Sequence, residues 1–133
     1  MKYLLILVSF LTAKSAQCQL DKYHLTAVST IYKDSDGDFV YQDEWKDCNW
    51  LATIDAKAKK AVFYVNDKEF KFDIVTATNV SDGEGDAIIK FVCVDENGKC
   101  GLSLITVADQ SAKYRAFIKL DWANKDIVYR FTF

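Results

Sequence analysis

The chain reads as an all-β protein, a single antiparallel β-sandwich or small β-barrel of about eight or nine short strands following a signal peptide. Three observations lead there. Apolar and polar side chains alternate with a period of two along most of the 133 residues. Proline is absent. Clusters of Gly, Asn and Asp interrupt the alternation at the intervals that tight turns between strands would need.

Residues 1–18, MKYLLILVSFLTAKSAQC, place Lys2 before an apolar run that ends in small and polar residues, the order of a secretory signal peptide. The run falls short of the roughly 20 residues of a spanning helix, so export with removal is expected. Cleavage after Ser15 or, preferably, after Cys18 leaves residues 19–133 as one all-β domain. The Ser-Ala-Gln before Cys18 is a poor lipobox. About 115 residues then remain, enough for a single core.

The first strand is expected over Tyr23 to Lys33, rich in β-branched residues. Phe39 to Trp45 follows, with Phe39, Tyr41 and Trp45 on one face. Cys48 to Asp55 aligns Cys48, Trp50, Ala52 and Ile54. Ala61 to Val65 and Glu69 to Thr78 form a hairpin across Asn66-Asp67-Lys68, and Phe70, Phe72 and Ile74 share a face. Ala87 to Val94 is almost wholly apolar, as a strand covered on both faces would be. Gly101 to Ala108, Tyr114 to Trp122 and Ile127 to Phe133 complete the set. Asp55 to Lys60 is the only helix candidate, too short to stand alone.

The net charge is −2, with both signs interspersed. No basic face in the sequence suggests nucleic acid, and no polybasic stretch suggests an anionic membrane. No transmembrane segment is expected after processing. A membrane-spanning β-barrel is suggested by the aligned Ile127, Tyr129, Phe131 and Phe133, but Lys71, Asp73, Lys90, Lys119 and Asp121 leave no clean lipid-facing band.

After cleavage at Cys18 the cysteines are Cys48, Cys93 and Cys100. Export permits disulfides. A four-residue Asp95-Glu-Asn-Gly98 loop would set Cys93 opposite Cys100, so a Cys93–Cys100 bridge is expected, with Cys48 as a competing partner.

The stretch KDSDGDFVYQDEW, residues 33–45, raises calcium as an alternative through Asp34, Asp36 and Asp38. Neither register of an EF-hand loop fits it, and both flanks alternate as strands. Asp36-Gly37 reads instead as a two-residue type I′ turn at an exposed hairpin tip, with Ser35 facing Asp38. No cofactor is expected.

His24 is the only histidine, so a His-rich zinc site or a His pair cannot be assembled, and no nucleophile elbow is present. Asp43 and Glu44 are adjacent and would point to opposite faces, unlike a glycosidase pair. A non-enzymatic protein is therefore expected. Asn79-Val80-Ser81 matches a glycosylation sequon in a loop. Trp45 and Trp50 are candidates for an exposed aromatic platform.

The combination Glu44-Trp45-x-x-Cys48, Ile54-Asp55 and Cys93-Val-Asp-Glu-Asn-Gly-Lys-Cys100, behind such a signal peptide, resembles small exported all-β proteins of the Bacteroidetes and phage type. The resemblance implies a secreted, periplasmic or envelope location and brings no catalytic residue with it. The expected function is binding of a protein or glycan partner at the envelope or cell surface. Two alternatives are a small barrel carrying an apolar ligand, and a secreted enzyme inhibitor inserting the 93–100 loop with Asp95, Glu96 and Lys99 at its tip.

Overall fold

Period-two alternation has only one way to hide its apolar side: the strands must pair and turn that side inward together. The computed structural model describes residues 20–81 and 85–133. Residues 1–18, expected as a signal peptide and including Cys18, lie outside them, as do residues 82–84. Nine strands follow in order: β1 (Leu20–Lys33), β2 (Phe39–Gln42), β3 (Lys46–Asp55), β4 (Lys60–Val65), β5 (Lys68–Asn79), β6 (Ala87–Asp95), β7 (Gly98–Thr106), β8 (Ala116–Trp122) and β9 (Ile127–Thr132).

All pairings are antiparallel, and β3 to β9 form a meander. The pairing of β1 with β9, from Ala27↔Thr132 to Tyr32↔Ile127, closes the sheet. The result is an eight-stranded barrel, with β2 attached to the end of β1 as an extra strand. Of the two architectures that the sequence allowed, the barrel is the one formed. Among the described residues, no helix is long and apolar enough to cross a membrane.

The lumen is filled. Leu25, Ala52, Ile54, Ala61, Ile118 and Leu102 are buried there among larger rings. Phe63 meets Phe72 at 5.7 Å and Phe131 at 5.4 Å, Phe72 meets Trp122 at 6.0 Å, Trp122 meets Tyr129 at 5.9 Å, and Tyr129 returns to Phe131 at 6.3 Å. This closed circuit of aromatic pairs spans β4, β5, β8 and β9. Such rings bury large apolar areas and favour these offset or edge-on contacts.

A register shift between Leu25 and Ala27 changes which residues of β1 face inward. Tyr23 and Leu25 contact the core before it and Val28 after it, opposite Phe131. Ala27, Ser29 and Ile31 are consequently buried on the outer side. The chain between β2 and β3 covers them: Ser29 Oγ donates to the Asp43 carbonyl at 2.9 Å, and the Asp43 amide donates to Thr30 O at 2.8 Å.

Several expectations are corrected. The Asp55–Lys60 helix candidate is a four-residue turn, in which Asp55 Oδ1 accepts the amides of Lys57 and Ala58 and Lys59 takes a positive φ of 56°. The acidic tip is a three-residue loop, not a two-residue one. Asp34 faces Asp38 through a 2.9 Å amide-to-carbonyl bond, and Gly37 supplies the positive φ of 85° that closes a type I turn with a bulge. Strand β6 is not covered on both faces, since Val94 remains 41% exposed. Its outward apolar residues belong to an open wall.

Candidate functional site

Pairing register decides which outward side chains become neighbours. Across the outer wall, Lys90 of β6 stands opposite Ser103 of β7, Ser103 opposite Lys119 of β8, Lys119 opposite Arg130 of β9, and Arg130 opposite Ser29 of β1. With strands about 4.8 Å apart, this transverse row is about 19 Å long. It contains three cations and two hydroxyl groups, and no carboxylate.

On one side of the row is a trough of about 430 Å3, whose lining includes Lys33, Lys90, Lys99, Lys119 and Gly101. Asp121 is its acidic member and is engaged by Lys33 Nζ at 2.8 Å. On the other side is a trough of about 540 Å3, lined by Ile31, Val40, Ile105 and Phe117 together with Lys119 and Arg130. Arg130 lies over the Trp45 ring at 4.9 Å and donates to Ser29 Oγ at 3.3 Å. Burial pulls its guanidinium below the usual arginine range, because desolvation disfavours the charged form.

Strand β2 flanks the second trough. Among the described residues it is the terminal strand of the sheet and pairs only with β1, which leaves its far edge free of any described strand. Phe39, Val40 and Tyr41 are 69%, 67% and 61% exposed. The ladder reads Ile31↔Gln42, Tyr32↔Tyr41 and Lys33↔Phe39, which makes Val40 a bulge residue. Tyr32 stacks near Tyr41 at 5.8 Å and donates to Asp43 Oδ2 at 3.2 Å. The Asp43 carboxylate pushes the Tyr32 phenol up, as an adjacent negative charge must.

The two tryptophans expected to share a platform serve different surfaces. Trp45 lies on the outer wall, where its ring meets Tyr114 at 4.6 Å and Arg130. Trp50 packs against the core near Phe131 and donates to Asn66 Oδ1 at 3.4 Å. Beside Trp50, another trough of about 620 Å3 is lined by His24, Asp47, Asn49, Tyr64 and Asn66.

Asp95 is no exposed fingertip. Its Oδ1 accepts the Asn97 amide at 2.8 Å and its Oδ2 accepts Trp122 Nε1–H at 3.0 Å, so it fastens the β6–β7 loop to β8. Asn124 Nδ2 adds a 2.8 Å bond to the Asn97 carbonyl. Glu96 is exposed, and Lys99 points to the cationic trough. Asp34 is likewise used internally, with its Oδ1 accepting the amides of Asp36 and Asp38 at 2.9 and 3.0 Å. Among the described residues, no three His, Cys, Asp or Glu side chains are grouped to hold a metal ion.

Cys93 and Cys100 stand directly opposite each other, as the loop spacing predicts, but the expected bridge is not formed. Both are buried thiols joined by a hydrogen bond, which pushes the Cys93 thiol up and lowers that of Cys100. Cys48 is half-buried and also a thiol, and burial followed by the Asp47 charge raises it. Iodoacetamide at pH 8 is therefore expected to label native Cys48 slowly, because its raised thiol supplies little of the reactive thiolate, and to leave Cys93 and Cys100 unlabelled, because both are buried away from the reagent. Unfolding without reductant should then expose all three. Mass spectrometry showing only one labelled cysteine after unfolding would contradict the thiol arrangement.

No protein-family model matches the chain, and neither the curated proteins nor the solved structures searched contain a significant match.

Proposed function

We propose that the protein is an exported, non-enzymatic binding domain that docks a protein partner through β2 and the adjoining outer wall. The observation carrying this reading is β2 itself. A free strand edge carries unpaired main-chain donors and acceptors, and proteins ordinarily blunt such edges with charge or cover them. Here the edge strand carries Phe39, Val40 and Tyr41, all largely exposed. Exposed apolar side chains beside an open edge are what a strand-adding partner uses, with main-chain bonds for affinity and side-chain pockets for specificity.

The carrier alternative has less support, because an aromatic circuit occupies the lumen that an apolar ligand would need. The inhibitor alternative loses Asp95 from its proposed tip, since that carboxylate is committed to Asn97 and Trp122. A glycan reading draws on the trough beside Trp50 and Tyr64.

The test is a double substitution, Phe39→Ser with Tyr41→Ser. Exposure of both residues predicts a stability change within about 0.5 kcal/mol. Used as bait in its native surroundings, the wild-type protein should retain a partner that the variant retains at least tenfold less. Equal retention by the variant, with loss on Tyr64→Ala instead, would reject the β2 site and favour the glycan trough.

A further inference from the structure

The pairing of β8 with β9 sets Lys119 directly opposite Arg130. Like charges in directly opposed positions weaken a sheet. Arg130 rests on the Trp45 ring and Ser29 Oγ, but no carboxylate among the described residues pairs with either cation, because the ion pairs present are Lys33–Asp121, Lys60–Asp73 and Lys71–Glu69. Arg130 is doubly burdened, since its Nε is buried without a hydrogen-bond partner. Lys90 adds a third cation to the row, with Ser103 between it and Lys119.

A fold gains nothing from this repulsion, and a single carboxylate in place of Lys119 would turn it into an attraction. Sites that oppose stability in this way are characteristic of surfaces kept for binding. The complement of the row is a negative group from another molecule. The apolar lining that Ile105 and Phe117 give the adjoining trough calls for apolar groups on the same ligand. A nucleic acid does not fit that requirement, and the chain's net charge of −2 would oppose a long polyanion.

We propose that the row Lys90–Ser103–Lys119–Arg130 docks an extended acidic segment of a partner protein, whose carboxylates neutralise Lys119 and Arg130 while its apolar residues lie on Ile105 and Phe117. This rests on the docking reading above and names the partner's chemistry. The free edge of β2 flanks the same trough, so an extended segment could find main-chain pairing there and charge neutralisation beside it.

The probe is a blocked peptide of alternating Glu and Val, titrated into the processed protein at low ionic strength and followed by amide chemical shifts. Shifts are expected at Lys90, Ser103, Lys119 and Arg130, with binding weakened as salt shortens the reach of charge. Lys119→Glu should weaken binding at least tenfold and bind a Lys-Val peptide instead. The same substitution should raise Tm by about 1–3 °C, because it faces Arg130 with an opposite charge. Unchanged peptide affinity in Lys119→Glu, a lowered Tm, or equal binding of Glu-Val and Lys-Val peptides to the wild type would overturn the proposal. So would tighter binding of a sulfated oligosaccharide through the same residues. If Lys119→Glu still retains the partner that Phe39→Ser with Tyr41→Ser loses, the acidic assignment fails and docking at β2 stands.

Discussion

Phe131→Ala should lower stability by about 3–5 kcal/mol, the range for deleting a buried aromatic side chain. Phe131 is 5% exposed and touches Trp50, Phe63 and Tyr129, so its removal opens the aromatic circuit at the member that joins β4 to the closing strand. Its neighbours are rings anchored on three separate strands, β3, β4 and β9, which limits how far they can relax into the space. A midpoint lowered by about 10–20 °C in thermal unfolding is the expected reading. The Phe39→Ser and Tyr41→Ser substitutions provide the contrast, because aromatics on the exposed strand should hardly move it. A loss below about 1 kcal/mol on Phe131→Ala would mean that the lumen is not packed as described.

Asp95→Ala should cost about 1–3 kcal/mol, although the residue sits at the edge of a hairpin loop. The substitution removes two acceptors together and leaves the Trp122 indole N–H, on a side chain only 7% exposed, without its partner. An unmet buried donor accounts for most of such a loss. Asp95→Asn should cost less, since its amide oxygen can still accept one of the two bonds. Urea unfolding gives the free-energy difference, and amide exchange at Asn97 and Gly98 locates it. A change within about 0.5 kcal/mol for Asp95→Ala would show that the loop is held by Asn124 and Gly98 instead.

The strands were legible because alternation is a local property. Cys48, Trp50, Ala52 and Ile54 align as their spacing requires, and the Asp95–Gly98 loop length set Cys93 opposite Cys100. Closure was not legible. Whether β1 meets β9 depends on the accumulated twist and stagger of the whole sheet, and no local spacing reports that. The register shift after Leu25 also escaped, since Ala27, Val28 and Ser29 are all small enough to face either way. It moved Ser29 and Ile31 outward, beneath the chain that carries Trp45. At the acidic tip, the residue types announced a turn, but the Asp34 side-chain bonds selected the longer loop. The opposition of Lys119 and Arg130 had a readable signal: a short connection after Trp122 limits the registers that β8 and β9 can adopt. Each residue taken alone looked like an ordinary solvent-facing position.

The hydrogen bond between Thr26 Oγ1 and Thr132 Oγ1 lies beside the join of β1 and β9 and links residues 106 positions apart. Contacts so distant along the chain are late and slow to form, since a large loop must first be closed. Because β9 is synthesised after the other strands of the barrel, a nascent chain cannot shut the cylinder before β9 has been made. It stays open, and threadable, for as long as its final strand is missing.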